Sequence, residues 1–340
     1  MFKKGQVNEQ FNWIFSLLAG AIILMFFIFV ILQIKGVSES KLAVEVINSF
    51  DGILAGSEAS PNTFNNIDSI NSLSFDVDCR IEGLSSYMSI LGDDVKIPLG
   101  NKIVFSPGII NGKKIKIYND PIGVPFYVAN SLLISDSETI FFFYDPNFST
   151  ELNKIYEDFP GNFSPMKFPL IDQSLKSYDR IVVISDSSPD LSDATLDKSW
   201  NLIKKKNVNW ITIDGLSTTF FKKTKKDRFF ENLGTVSLPN QEFLYYLIFS
   251  KNLDIYKCNF ARITEKTRNI ASIYQYKARE LYKSKFIQEK CKSQYLIATD
   301  YFTQMIGENQ GKNFNPIQHS SKSIGEINDV LLKMSCPLLY

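Results

Sequence analysis

Residues 177–215 read SYDRIVVISDSSPDLSDATLDKSWNLIKKKNVNWITIDG, and they decide the fold of the middle of the chain. Two short apolar runs, Asp179–Ile184 and Val208–Ile213, each lead into a polar loop and are typical of buried strands. Between them, Ser192 stands where it can cap the start of a helix. A strand, a helix and a second strand in this order predict a right-handed parallel crossover.

The chain before this stretch repeats the same pattern. Near Thr139 this pattern begins, and Ile140–Tyr144 is a continuous apolar run, as expected for a strand whose two faces are both covered. A helix should begin at Ser149, and Met166–Ile171 is a further candidate strand. Residues 136–240 are therefore predicted to form a flavodoxin-like or Rossmann-like parallel α/β domain.

Residues 177–215 also resemble the core of class I glutamine amidotransferase-like domains, in which a strand that opens with Tyr-Asp leads through a loop and a helix to a second strand. In catalytic members of that family the second strand leads to a Gly-x-Cys-x-Gly elbow, which carries the nucleophile. The corresponding residues here are Ile211–Leu216, which contain no cysteine, and no His-Glu pair follows them. The resemblance therefore implies a degenerate, non-catalytic flavodoxin-like domain.

A β-rich unit is predicted within residues 36–135, after a juxtamembrane helix. Ser74–Glu82 alternates apolar with charged side chains, as a half-buried strand does. Shorter runs at Lys102–Phe105 and Lys114–Tyr118 add two strands, and Asn111-Gly112 before the second is a hairpin-turn signal.

Residues 241–340 are predicted to be helical. Apolar side chains from Ile263 to Leu281 recur at spacings of seven, four, four and three, which is one face of a helix. Two further helices are expected at Ile287–Ile306 and Ile324–Met334.

The N-terminal 35 residues contain a long apolar run from Trp13 to Leu32. About 20 such residues span a hydrocarbon core as a helix, so the run predicts a transmembrane helix. The predicted fold class is thus α/β, with an N-terminal transmembrane helix, a small β-rich unit, a parallel flavodoxin-like or Rossmann-like domain and a C-terminal helical region. The head, residues 1–35, would lie in the cytoplasm and membrane, and the rest outside.

The head offers a second interpretation. Lys3-Lys4-Gly5-Gln6, followed by Glu9 and the apolar run, resembles the leaders of archaeal class III prepilins, which are cut between Gly and Gln. In that family a Glu usually stands fifth in the mature chain, where this sequence has Gln10. The resemblance implies processing between Gly5 and Gln6, and a pilin-like subunit of a filament or secretion-type assembly.

Four cysteines, all beyond the apolar run, lack the paired Cys-x-x-Cys spacing of zinc sites. In an external compartment two disulfides are the better account, although free buried thiols remain an alternative. Of the three possible pairings we favour Cys258 with Cys291, which bracket the predicted helical hairpin, and Cys79 with Cys336.

One loop is a candidate ligand or metal site. Asp186, Ser188 and Asp190 follow a predicted parallel strand, and Asp214 follows the next one, at the sheet edge where ligands bind in open α/β folds. Oxygen-bearing side chains there could hold Mg²⁺ or Ca²⁺. Ordinary loop and helix-capping chemistry explains the same residue types, so no metal or other cofactor is assigned.

The composition excludes several classes of function. The chain has 37 Lys and Arg against 36 Asp and Glu, so no global basic field would attract nucleic acid. Its single histidine, His319, removes most triad, proton-shuttle and His-rich metal mechanisms. We therefore predict a single-pass cell-envelope protein, not an enzyme, whose outer part binds other envelope proteins or a ligand. An enzyme that uses the Asp186 loop is the weakest hypothesis.

Overall fold

The structure is a computed structural model. It describes residues 18, 21–26, 28–29, 51–57, 59–91, 96–144, 149–167, 178–189, 206–224, 226, 229–307 and 315–340. In these residues two six-stranded sheets are followed by a helical region, so the mixed α/β content is as predicted.

The first sheet has the strand order β3-β2-β1-β5-β6-β4. All neighbours are antiparallel except β4 and β6, which are parallel. The strands of this sheet are β1 (Phe64–Arg80), β2 (Ser85–Ile90), β3 (Lys96–Pro98), β4 (Ile103–Phe105), β5 (Ile110–Gly123) and β6 (Tyr127–Asp136).

The alternation predicted for residues 74–82 is confirmed within β1, where Phe75, Val77 and Cys79 are buried. The turn predicted at Asn111-Gly112 is wrong, because both residues lie inside β5 and pair with β1. The backbone N–H of Asn111 also donates to Oδ2 of Asp136 at 2.6 Å. Partners on both sides thus hold the segment extended against its local turn preference.

The second sheet has the order β12-β11-β10-β9-β7-β8. The predicted parallel arrangement is confirmed, since β9 lies between β7 and β10 and runs parallel to both. Strands β11 and β12 extend the sheet in antiparallel fashion. Its strands are β7 (Thr139–Tyr144), β8 (Met166–Lys167), β9 (Arg180–Ser185), β10 (Asn207–Asp214), β11 (Ser217–Lys223) and β12 (Glu231–Ser237).

The continuous apolar character of β7 has a direct structural cause. Phe141 and Phe143 pack into the main core, whereas Ile140 and Phe142 pack into a separate cluster with Trp210 on the other face. Because side chains alternate along a strand, a sheet covered on both sides requires apolar residues at every position.

Helix α1 (Thr150–Asp158) follows β7 and begins where the sequence predicts. Ser149 is its N-cap, and Oγ of Ser149 accepts the backbone N–H of Leu152. Leu152 and Ile155 are buried in the main core. A short 3-10 helix, Gly161–Phe163, follows. The helix predicted from Ser192 lies outside the described residues.

The C-terminal region is helical, as predicted. Asn252 caps the long helix, with Oδ1 accepting the backbone N–H of Ile255 at 2.9 Å. The main core includes residues of both sheets and of these helices. The helices are α2 (Glu242–Ile248), α3 (Leu253–Lys283), α4 (Glu289–Gly307) and α5 (Asn315–Lys333).

All four cysteines form disulfides, as expected, but the favoured pairing is wrong. Cys79 is bonded to Cys258, and Cys291 to Cys336. Cys258 lies near the start of α3 and Cys291 near the start of α4. The 25 residues from Cys258 to the end of α3 span about 38 Å of helix, so a helical hairpin keeps these two cysteines apart.

The predicted transmembrane helix is wrong for the residues that the structure describes, where no helix is long and apolar enough to cross a membrane. Of Trp13–Leu32 the structure describes residues 18, 21–26 and 28–29. The head residues Gly5, Gln6 and Glu9 lie outside the described part of the chain.

Candidate functional site

A groove of about 470 Å³ opens at the carboxyl ends of β9 and β10, beside the first turn of α1. Ligands bind at this edge in open parallel sheets, because the loops that leave the strands converge there. We call it the acidic groove. It is lined by Glu151, Asp186, Ser188, Thr212, Ile213, Asp214, Gly215, Ser217 and Thr219.

The loop that carries Asp186 is held from both sides. The backbone N–H of Ser187 donates to Oγ of Ser185 at 3.1 Å, which tightens the turn after β9. The carbonyl oxygen of Ser187 accepts the Trp210 Nε1–H at 2.9 Å and the Thr212 hydroxyl at 3.3 Å. These bonds fix the backbone on each side of Asp186 against the neighbouring strand β10.

Asp186 itself is only partly satisfied. Its Oδ1 atom is buried and has no hydrogen-bond partner among the residues that the structure describes. A buried acceptor without a donor costs free energy, roughly 1–3 kcal/mol, so such atoms mark positions where a ligand or ion can contribute a donor. The residue that carries this unpaired acceptor is one of those that line the groove.

The opposite wall is the tight connection between β10 and β11. Asp214 pairs with Ser217 across the turn, and both side chains are exposed to solvent. Gly215 adopts a φ of 60°, a left-handed conformation that glycine reaches without a steric penalty. The turn thereby presents the Asp214 carboxylate at the rim of the groove.

Glu151 is the one ionisable residue of the described groove lining that the sequence patterns did not single out. It lies in the first turn of α1, directly after the loop that leaves β7. The signal was available, since β7 was predicted as a parallel strand and its following loop must reach the same edge as those of β9 and β10.

The described lining of the groove has one sign of charge. Its three ionisable side chains are the carboxylates of Glu151, Asp186 and Asp214, and most of its other members carry hydroxyl groups. These carboxylates favour a positively charged ligand. Among the described residues no group of three or more His, Cys, Asp or Glu side chains is arranged to hold a metal ion.

Three of the four predicted site residues meet in the groove. Asp186, Ser188 and Asp214 line it together, while Asp190 lies outside the described residues. His319 is exposed on α5 and does not line the groove.

A second set of polar side chains lies where β5 meets α2. Burial raises the pKa of Asp120 to about 6. The hydrogen bond that Tyr246 donates lowers this pKa, whereas the nearby negative charge of Glu242 raises it further. Burial also raises the pKa of Tyr246 well above its usual value. No motif in the sequence identifies this pair, because its members lie on β5 and α2.

Comparisons with models of protein families, with curated proteins and with solved structures find no match to this chain. The resemblances to glutamine amidotransferase-like domains and to prepilin leaders therefore stay predictions.

Proposed function

We propose that this protein is a non-catalytic binding module that works outside the cytoplasm and holds a small cationic ligand in the acidic groove. The observation that carries the binding function is the buried Oδ1 of Asp186, which lacks a donor among the described residues in a groove lined by carboxylates. Other envelope proteins are the proposed partners of the remaining surface.

The paired cysteines support the proposed compartment. All four are paired, and disulfides persist in oxidising compartments whereas the cytosol keeps thiols reduced. One disulfide joins the first sheet to α3, and the other joins α4 to the C-terminal segment, so each links parts of the chain that are distant in sequence.

The absence of catalysis is supported by the residues at the groove. Neither His319 nor any cysteine lines it, so the described lining lacks a nucleophile paired with an imidazole. The resemblance to amidotransferase-like domains implies a nucleophile at the end of β10, where this chain has Asp214-Gly215.

Isothermal titration calorimetry of the full chain, with spermidine, arginine and Ca²⁺ as separate probes, tests the proposal. We expect at least one probe to bind, and Asp186→Asn to weaken it roughly tenfold, because one charge-assisted contact is lost. Asp300→Asn, which removes an exposed carboxylate on α4, is the matched control. Binding that both substitutions leave unchanged would place the ligand elsewhere.

The alternative of a pilin-like subunit processed after Gly5 depends on residues outside the described range. The mass of the N-terminal peptide of the protein from its native source tests it. A chain that begins at Gln6 would support the filament subunit, and one that begins at Met1 or Phe2 would rule out this processing.

A further inference from the structure

The loop between α3 and α4 forms an exposed point on the helical region, which we call the hairpin tip (residues 282–290). Helix α3 ends at Lys283 and α4 begins at Glu289, so five residues make the connection. At its centre, Phe286 is 98% exposed, the highest value among the large apolar side chains that the structure describes as exposed. Tyr282, at the end of α3, is 42% exposed.

Basic residues surround these aromatic rings. Residues 276–293 contain six Lys and Arg and two Glu, a formal charge of +4 in a chain whose total is +1. Lys283, Lys285 and Lys290 are exposed. Ion pairs involve Lys283 with Glu280 at 3.2 Å and Lys292 with Glu289 at 2.5 Å. This segment therefore carries a net positive charge beside Phe286, the most exposed large apolar side chain among the described residues.

Local hydrogen bonds and a disulfide restrain the hairpin tip. The backbone N–H of Phe286 donates to Oγ of Ser284 at 3.3 Å, and that of Cys291 donates to the carbonyl of Gln288 at 2.9 Å. The Cys291–Cys336 disulfide anchors its base to the C-terminal segment. A surface ordered before binding loses less conformational entropy when it binds.

We propose that the hairpin tip binds the surface of an anionic lipid bilayer. An aromatic ring beside lysines matches the interface of such a bilayer, where the ring enters the headgroup boundary and the ammonium groups meet anionic headgroups. A protein partner fits less well, because specific protein interfaces bury about 800 Å² on each side around an apolar centre. The exposed rings of Tyr282 and Phe286, at the end of a five-residue loop, provide an apolar centre without that area.

The depth of residue 286 in a bilayer is the direct test. The full chain carrying Phe286→Trp is mixed with phosphatidylserine–phosphatidylcholine vesicles that contain brominated lipid, and the wild-type spectrum is subtracted to remove the native tryptophans. Ile273→Trp is the control. Ile273 is 65% exposed on α3, about 15 Å along the helix from the end that leads into the hairpin tip. We expect quenching at position 286 at least about twofold stronger than at position 273.

The charge requirement is tested on the same system. Replacing Lys283, Lys285 and Lys290 by Gln should weaken vesicle affinity about 100-fold, at about fivefold for each lysine. The matched control replaces exposed Lys154, Lys257 and Lys322 by Gln and should leave the affinity within about threefold.

Three results would overturn the proposal. Equal quenching at positions 286 and 273 would mean that the hairpin tip does not enter the bilayer. An equal loss of vesicle affinity in the two triple-lysine variants would mean that only the total charge of the protein matters. Binding of soluble polyglutamate to the hairpin tip, with no quenching by vesicles, would identify an acidic protein as the partner instead.

Discussion

Cys79 in β1 and Cys258 in α3 are joined by a disulfide across 179 residues of sequence, with their Cα atoms 5.8 Å apart. The next residue, Asn259, donates from Nδ2 to the carbonyl of Val104 at 2.8 Å. One turn later, Arg262 donates to the carbonyl of Lys102 at 2.9 Å. The start of α3 is therefore fixed covalently and by hydrogen bonds to the first sheet.

Removal of the two disulfides should affect stability unequally. Cys79→Ser/Cys258→Ser opens a link that spans 179 residues, and Cys291→Ser/Cys336→Ser one that spans 45. Loop-closure entropy grows with span, so each double variant should lose roughly 2–5 kcal/mol and the first about 1 kcal/mol more than the second. Chemical denaturation of both variants measures the difference. A larger loss from the shorter link would contradict this explanation.

Arg262 should be needed for its shape as well as its charge. Its guanidinium is buried and donates to Ser86 Oγ at 2.5 Å and to the carbonyls of Gly100 and Lys102 at 2.5 and 2.9 Å. Arg262→Lys loses this fork and leaves buried acceptors unpaired, so we expect a loss of roughly 2–4 kcal/mol in unfolding free energy.

The control for Arg262 is Arg279→Lys, on the exposed face of the same helix. We expect it to change stability by less than about 0.5 kcal/mol. Equal losses of unfolding free energy at the two positions would show that the buried guanidinium of Arg262 adds no stability of its own.

Gly108 should tolerate no side chain. A Cβ added there would lie 2.3 Å from Cζ of Arg180, whose Nη1 donates to the carbonyl of Ile109 at 2.8 Å. Gly108→Ala must displace this half-buried guanidinium from its hydrogen bond, which should lower the unfolding free energy by roughly 1–3 kcal/mol in thermal or chemical denaturation. Gly161→Ala, which meets nothing within 4 Å, is the matched control and should be close to neutral.

Stability should fall as pH rises through the range in which Asp120 ionises. The pKa of Asp120 is about 6 in the folded protein against an ordinary value of 3.8, so the folded state retains a proton that the unfolded chain has lost. This contribution is complete below about pH 4 and is lost as pH rises through about 6, amounting to roughly 1–3 kcal/mol.

Asp120→Asn should remove this pH dependence, because the amide does not ionise, while Asp300→Asn should keep it. Denaturation midpoints of the wild type and both variants between pH 4 and 7 measure the effect. A wild-type profile that Asp120→Asn leaves unchanged would assign the titration to another group.

The parts of the fold that the sequence predicts correctly are those that a local pattern determines. Ile140–Tyr144 is apolar at every position because the sheet is covered on both faces, and the alternation after Ser74 follows from one buried face. The turn predicted at Asn111-Gly112 fails for the converse reason. Its partners in β1 and Asp136 are distant in sequence, and no local signal announces them.

The same distinction explains why most charged groove residues were predicted correctly and the disulfide pairing was not. Asp186 and Asp214 were found because each follows a recognisable parallel strand, and Glu151 could have been found by the same rule. The disulfide pairing depends on which surface of the first sheet α3 packs against. That contact uses Asn259 and Arg262, whose buried roles are not visible in their polar residue types.

The central claim is that this is a disulfide-stapled binding module of an oxidising compartment. Peptide mapping of the non-reduced protein, alkylated during recovery from its native source, tests it most directly. We predict two linked peptide pairs, Cys79 with Cys258 and Cys291 with Cys336. Four alkylated cysteines, which would mean free thiols in the native compartment, would contradict the claim.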